Sequence, residues 1–152
     1  MSDPLEGLPR LLAESACHAL VLAAADAVDR QDPAAFVALF TPDGVLVRPD
    51  GSLLQGRDTI HAAYAARPAE RMTRHLICNQ AVQLGPDGTT ATSRCTVLLW
   101  SGRRSDPETP KGRPADGLQQ VGEIDDELVL TGEGWRIARR DARFVFYTGN
   151  SG

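Results

Sequence analysis

The hydrophobic pattern of this 152-residue chain changes its period once, and this change restricts the possible folds more than any other feature. In the first part, apolar residues recur every three or four positions, which predicts one long helix over roughly residues 5–30. From Met72 onward, the chain has threonine- and valine-rich segments and tight turns, which are typical of long strands. Helices followed by strands predict an α+β fold, with N-terminal helices packed on one face of a strongly curved mixed or antiparallel sheet.

Turn-forming residues divide this pattern into shorter elements. Asp32 and Pro33 predict the N-cap and first residue of a short helix that ends near Phe40. A third helix is expected after Gly56, and it should stop before Pro68. Strands are predicted at 45–48, 72–84, 89–101, 118–130 and 135–147, with turns at 49–51, 86–88 and 131–134.

The remaining segments are predicted to be irregular. The proline- and arginine-containing segment 102–117 reads as a mobile loop, and residues 1–4 and 148–152 are expected to be frayed. We find no internal repeat and no linker, so 1–152 is predicted to be one domain, ordered from about residue 5 to residue 147. Long curved strands around a helix form a cone-shaped α+β barrel, and such a cone encloses a pocket suited to a small apolar ligand.

Charge and composition argue against several classes of partner. The net charge of −4 disfavours nucleic acid and anionic membrane surfaces, and no apolar run of about 20 residues is present. The three cysteines are odd in number and far apart, so they are expected to be small buried apolar residues in a reducing cytoplasm. His18, His61 and His75 lack the short spacings of a zinc site, and nucleotide-binding motifs are absent. We therefore predict no metal and no cofactor.

Asp29 and His75 are the candidate catalytic residues. Asp29 is placed at the C-terminal end of the first helix, where the helix dipole disfavours an anion unless a cation offsets it. His75 lies in a predicted strand, and an acid paired with an imidazole makes a general base. Asp26, one turn earlier, is an alternative partner. The non-catalytic interpretations are a hydrogen-bonded core histidine and an exposed aspartate beside the Asp32 cap.

Other polar and aromatic residues could complete a substrate pocket. His75, Ile77 and Asn79 share one face of a regular strand, so Asn79 could bind a substrate oxygen or merely the neighbouring backbone. Arg140 could pair with Asp126 across the final hairpin as a structural salt bridge, or it could orient a substrate carbonyl. Aromatic residues that could wall the pocket, or simply fill the core, are Tyr64, Trp100, Phe144 and Phe146.

These motifs together resemble the SnoaL-like branch of the nuclear transport factor 2-like superfamily. The resemblance extends from about residue 12 to residue 147. The segments that carry it are Ala27-Val28-Asp29-Arg30, Phe36-Val37-Ala38-Leu39-Phe40, Asp43-Gly44, Leu54-Gln55-Gly56-Arg57-Asp58-Thr59-Ile60, Arg74-His75 with Asn79, Gly122-Glu123-Ile124-Asp125-Asp126 and Trp135-Arg136-Ile137-Ala138-Arg139-Arg140. It implies a cone-shaped cavity and a homodimer or homotrimer. Scytalone dehydratase, lindane dehydrochlorinase and bile-acid dehydratases carry an acid and a histidine at positions that match Asp29 and His75.

The chain also departs from those enzymes in three places. Ala23-Ala24-Ala25 stands where the dehydratases tend to have a tyrosine, and no histidine occurs at 93–95, where scytalone dehydratase has its second one. Leu130 or Thr131 replaces the arginine that the dehydrochlorinase uses near its final hairpin. The reaction itself is therefore less well defined than the fold, because this fold carries many functions.

Two classes of function follow from these observations. The first is a cofactor-independent lyase or isomerase that removes a proton from carbon of a small hydrophobic cyclic substrate, such as a polyketide, steroid or aromatic compound. The second is a non-catalytic ligand-binding or scaffold protein, like the small subunit of ring-hydroxylating dioxygenases. An epoxide hydrolase is a weaker third possibility, since the acid-rich cluster that would activate water is not visible in the sequence.

Overall fold

Helices and strands are segregated along the chain as the hydrophobic pattern predicts. The computed structural model describes residues 6–149. The helices are α1 (Leu8–Asp29), α2 (Pro33–Ala38) and α3 (Arg57–Ala65), and the strands are β1 (Phe40–Val47), β2 (Leu53–Gln55), β3 (Arg71–Leu84), β4 (Thr90–Arg103), β5 (Gln119–Thr131) and β6 (Gly134–Thr148). The predicted cap of α2 is confirmed, because the Asp32 side chain accepts a 3.0 Å hydrogen bond from the Ala35 N–H.

The six strands form one mixed sheet in the order β2-β1-β6-β5-β4-β3. Strands β3 to β6 and the β1–β2 pair are antiparallel, whereas β1 runs parallel to β6. The sheet curls into a cone around α1 but does not close, since β2 and β3 remain its two edges. The predicted fold class, N-terminal helices on a curved mixed sheet, is therefore confirmed.

Most of the apolar core lies between the helices and the β1, β6 and β5 part of the sheet. Helix α1 packs mainly on β3, and its small residues Cys17, Ala24 and Ala27 are fully buried, which allows a close approach to the sheet. The largest fully buried side chains of this core are Phe36, Phe40, Leu46, Ile60 and Ile137. The alanines along α1 leave space between this helix and the neighbouring strands. Larger side chains at the same positions would fill that space.

Within residues 6–149, α1 is the one helix that is long and apolar enough to cross a membrane by length and composition. The sequence of α1 contains no uninterrupted apolar run of this length, because charged and polar residues such as Arg10, Glu14 and His18 interrupt it. The core helix of a soluble protein meets the same criterion, and α1 buries one face here against the sheet.

Three details differ from the sequence analysis. Strand β2 was not predicted, because three residues are too few to show a period. Thr148 of β6 pairs with Gln119 of β5, so it is not frayed. Residues 1–5 and 150–152 lie outside the described residues. Gly102 and Arg103 belong to β4, and the irregular segment that follows is tied to the domain by a hydrogen bond from the Arg104 N–H to the Glu70 carbonyl (2.8 Å).

A buried ion pair crosses the final hairpin. Arg140 of β6 donates from Nε and Nη2 to the two carboxylate oxygens of Asp126 on β5, each at 2.8 Å. The two side chains are only 6% and 1% exposed. This bidentate geometry satisfies both charges away from water, so removing either partner would leave an uncompensated buried charge.

We expect Asp126→Ala to lower the free energy of unfolding by about 3–5 kcal/mol, because Arg140 would lose its only carboxylate partner within the described chain. Asp125→Ala is the matched control. Its carboxylate lies on the opposite face, where it binds Arg94 and Arg143 at exposed positions, so the loss should be within about 1–2 kcal/mol. Urea unfolding of both variants measures the difference, and equal losses would contradict a structural role for the buried pair.

Candidate functional site

The end of α1 meets the middle of β3, and this contact brings Asp29 and His75 together. Asp29 is the last residue of α1, and Asp29 Oδ1 lies 2.5 Å from His75 Nδ1. The side chains are 12% and 20% exposed, so both are largely shielded from water. Asp26, the alternative partner, instead binds the exposed Arg30 one turn later at 2.7 Å. The structure therefore pairs His75 with Asp29.

Three groups of β3 donate hydrogen bonds to the Asp29 carboxylate. The His75 backbone N–H donates to Oδ2 at 2.8 Å, the Thr73 hydroxyl donates to Oδ1 at 2.9 Å, and the His75 ring is the third donor. Burial alone would raise the pKa of Asp29, but these bonds outweigh burial, and the net effect holds that pKa below its ordinary value of 3.8. Asp29 is thus held as an anion.

The ionised carboxylate fixes the tautomer of His75. A carboxylate can only accept, so the proton of the neutral imidazole resides on Nδ1 and the lone pair on Nε2. This is the arrangement that a general base requires, with one ring nitrogen oriented by an acid and the other free to take a proton.

A cavity of about 730 Å³ lies between the helices and the concave face of the sheet, and we call it the main cavity. This volume is in the range that holds small organic ligands. His75 is in its lining. The apolar part of that lining comes from α1, α3 and the sheet and includes Val21, Ala24, Val28, Tyr64, Ile77, Val97, Leu99, Ile124 and Phe144.

A second depression, of about 800 Å³, is lined by Asp29 but not by His75, and we call it the outer cleft. Its lining is mostly polar and includes Asp26, Asp29, Arg30, Gln31, Asp32, His61, Arg74 and Arg104. Asp29 contributes to the outer cleft and His75 to the main cavity, so the pair forms part of the wall between a polar surface and an apolar interior.

Three of the predicted pocket residues line the main cavity. They are Tyr64 on α3, Arg140 on β6 and Phe144, also on β6. Tyr64 also packs on Phe36, with ring centroids 4.5 Å apart. Arg140 uses Nε and Nη2 for Asp126, and Nη1 makes no hydrogen bond to residues 6–149. The structure therefore contains the expected Arg140–Asp126 salt bridge, and it also places Arg140 in the lining of the main cavity.

Asn79 and Trp100 are not in the lining of the main cavity, and the prediction that Asn79 shares a face with His75 was wrong. The register between β3 and β4 shifts between Cys78 and Ala81, and Asn79 has a positive φ of 51°. This bulge breaks the alternation, so Asn79 is exposed. Trp100 alternates with the buried Leu99, and its side chain lies on the outer face of the sheet, 42% exposed.

Several residues of the site were not predicted from the sequence. Thr73 donates to Asp29, and its position two residues before His75 on the same strand face was an available signal. Arg48, Arg67 and Arg71 also line the main cavity, but they follow or begin elements, where the direction of a side chain has no sequence signature.

In the part of the chain that the structure describes, potential metal ligands are not grouped, and two of the three cysteines are buried. Among residues 6–149, no three His, Cys, Asp or Glu side chains are grouped as metal ligands. Cys17 and Cys95 are buried, and burial raises the pKa of each thiol to about 11, so they are protonated and unreactive near neutral pH.

Comparisons with known proteins bear on the family and on the fold. The sequence model of the SnoaL-like domain matches residues 9–141. Among proteins of curated function, none matches the sequence closely enough to be called a relative. A candidate scytalone dehydratase from Novosphingobium aromaticivorans has a similar structure, with 20% identity and a TM-score of 0.77 over 94% of this chain and 91% of that one.

Two further solved structures are similar over most of their length. A candidate dehydratase of the NTF2-like family from Streptomyces avermitilis has 20% identity and a TM-score of 0.75, over 89% of this chain and 97% of that one. A hexachlorocyclohexane dehydrochlorinase has 12% identity and a TM-score of 0.76, over 94% and 92%. At these identities, the structural likeness establishes the fold and leaves the activity to be argued from the site.

We expect the contribution of Asp29 to stability to depend on pH. Because the pKa of Asp29 is lower in the folded protein than its ordinary value of 3.8, the ionised form stabilises the fold above that pH, and this stabilisation is lost as the pH falls through the folded-state pKa. Asp29→Asn should therefore cost about 1–3 kcal/mol near neutral pH, and the cost should decrease at a second, acidic pH below 3.8. Denaturant unfolding of the wild-type protein and of the Asp29→Asn variant at the two pH values measures this difference in the free energy of unfolding.

Asp26→Asn is the control for Asp29→Asn. It removes an exposed carboxylate from the same helix, one turn earlier, and should change the free energy of unfolding by about 0.5 kcal/mol or less at either pH. A penalty for Asp29→Asn that is the same at both pH values would contradict the ionised, hydrogen-bonded state of this residue.

Proposed function

Because this chain belongs to the SnoaL-like domain family, we propose that it is a cofactor-independent lyase or isomerase that acts on a small, largely hydrophobic cyclic substrate. One observation carries the proposal. The Asp29 carboxylate lies 2.5 Å from the His75 ring, and His75 borders an apolar cavity of about 730 Å³. An oriented imidazole in a mostly water-shielded pocket is suited to taking a proton from carbon.

In the proposed reaction, His75 acts as the general base. Nε2 takes a proton from the carbon next to a carbonyl, and the electron pair of the broken C–H bond moves into the carbonyl as an enolate. In a lyase, this electron pair then forms a C=C bond while the hydroxyl group on the adjacent carbon departs. The imidazolium gives its proton to the departing hydroxyl, which leaves as water. In an isomerase, the same proton returns to another carbon. Asp29 stabilises the imidazolium in both cases.

Arg140 is the residue that we assign to the developing oxyanion. It lines the main cavity, and Nη1 makes no hydrogen bond within residues 6–149. The bidentate contact with Asp126 holds the guanidinium plane in place, so this donor is oriented before substrate binds. Asn79, the other residue considered for this role, is exposed and outside the cavity.

The apolar lining of the main cavity supports a small hydrophobic cyclic substrate of the polyketide, steroid or aromatic type. Tyr64, Phe144 and the aliphatic residues of the sheet provide flat and apolar surface for such a ring. We also propose a cytoplasmic homodimer or homotrimer. Leu76, Trp100 and Phe146 are exposed large apolar side chains of the sheet, and assembly would shield such residues from water.

The proposal predicts enzyme-dependent proton abstraction that His75→Ala abolishes. In D2O, the protein should catalyse deuterium incorporation, or loss of water, for at least one member of a panel of cyclic ketones and β-hydroxyketones. His75→Ala should lower this rate by at least about 10²-fold, the usual size of a general-base contribution. Proton NMR follows both processes, so the leaving group need not be known in advance.

His61→Ala is the matched control, because His61 is exposed and contributes to the outer cleft and not to the main cavity. Its rate should stay within about twofold of the wild-type rate. Undiminished exchange in His75→Ala would refute the assignment. A wild-type protein that binds these compounds without any exchange or elimination would instead support the alternative, a non-catalytic ligand-binding or scaffold protein.

A further inference from the structure

Three arginines gather at one end of the main cavity. Arg48 follows β1, Arg67 follows α3, and Arg71 begins β3, so three separate segments deliver a guanidinium to the same space. Arg71 is exposed, whereas Arg48 and Arg67 are half-buried. Arg71 therefore places this part of the cavity at the protein surface, and His75 and the apolar residues line the same cavity. We call Arg48, Arg67 and Arg71 the arginine cluster.

In the described chain, the arginine cluster interacts with carboxylates only at longer range, Arg48 with Asp50 and Arg67 with Asp29. No acidic side chain of residues 6–149 forms an ion pair with any of the three. Two acids line the same cavity, and both are already engaged. Asp50 accepts hydrogen bonds from the Ser52 N–H (2.9 Å) and hydroxyl (2.6 Å), and Glu123 is bound by Arg143.

The backbone that carries two of these arginines is held in place by Gln31. Its side-chain amide donates to the carbonyls of Arg71 (2.6 Å) and Pro68 (3.2 Å), and the Arg71 N–H donates to Pro68 (3.1 Å). Gln31 has a positive φ of 54°, which is costly for a residue other than glycine. The connection between α3 and β3 is therefore fixed to the end of α1 by hydrogen bonds of its backbone. The side chains of Arg67 and Arg71 form no ion pair within residues 6–149.

Arg67 lies at the centre of the cluster. Its guanidinium carbon is 5.4 Å from the centre of the Tyr64 ring, which is itself part of the apolar wall. Burial, followed by the like charges of Arg71 and Arg48, lowers the pKa of Arg67 below its ordinary value, and Tyr64 and Asp29 only partly oppose this. Like charges held together at a cavity wall would be relieved by a bound anion.

We propose that the arginine cluster binds an oxyanion of the substrate, a carboxylate or a phosphate, while the ring of the substrate occupies the apolar part of the main cavity beside His75. Guanidinium groups match both oxyanions through paired hydrogen bonds. Naming the ligand as the substrate rests on the proposed function, whereas the anion site itself does not. The substrate class is thereby narrowed from neutral cyclic ketones to cyclic compounds that carry an acid or a phosphate.

Matched probes test this inference without knowledge of the substrate. 2-Naphthoate and 2-naphthamide have the same ring and nearly the same shape, but only the first is an anion. By calorimetric titration, the wild-type protein should bind the carboxylate at least about tenfold more tightly than the amide. This preference should decrease when salt is raised from roughly 20 mM to roughly 200 mM, because screening weakens exposed charge interactions. 2-Naphthyl phosphate in a parallel titration tells which oxyanion is preferred.

The double variant Arg67→Gln and Arg71→Gln should bind naphthoate and naphthamide within about twofold of each other. Arg94→Gln is the control, because it removes one positive charge at an exposed position outside the cavity lining, and it should retain the wild-type preference. His75→Ala should also retain it, which separates a failure of the anion site from a failure of the proposed chemistry. Absence of anion binding at millimolar concentration, or a preference that survives in the double variant, would overturn the proposal.

Discussion

The Asp29 carboxylate joins the end of α1 to the middle of β3, and the geometry of the site depends on this junction. A carboxylate at the C-terminal end of a helix is unfavourable by itself, since the last carbonyl groups of the helix repel it. Three donors from Thr73 and His75 reverse this preference. The same contacts that dock the helix on the sheet therefore also ionise the acid, fix the imidazole tautomer and shield both side chains from water.

The two ends of the cone are used differently. At the β1 and β6 end, large side chains such as Phe36, Phe40 and Ile137 fill the space and provide the core. Over β3 to β5, alanine and valine on α1 leave the space open, and the main cavity results. The Arg140–Asp126 pair lies at the boundary, where a charge can be held rigidly and still border the open side. The packed core thus supports one wall of the main cavity through this ion pair, since either charge would be unfavourable there without its partner.

The sequence was sufficient to predict the features that depend on period and on capping. The order of elements, the cap at Asp32 and the meeting of Asp29 with His75 follow from helix length, strand alternation and the motifs of the family. The position of Asn79 did not follow, because a single extra residue inverts the alternation without changing composition. The parallel pairing of β1 with β6 and the convergence of three arginines depend on distant segments, and no local pattern encodes them.

The bulge at residues 79 and 80 gives β3 two sections that are independent in register. Residues 71–78 pair with 96–103 of β4 and carry Thr73 and His75, whereas residues 81–84 pair with 91–94 beside the core. A one-residue insertion or deletion here would change the size of the bulge and leave the pairing on either side intact. Related chains can therefore differ in length at this point while the acid and the histidine stay in contact, so the length of this strand can diverge among them without loss of the site.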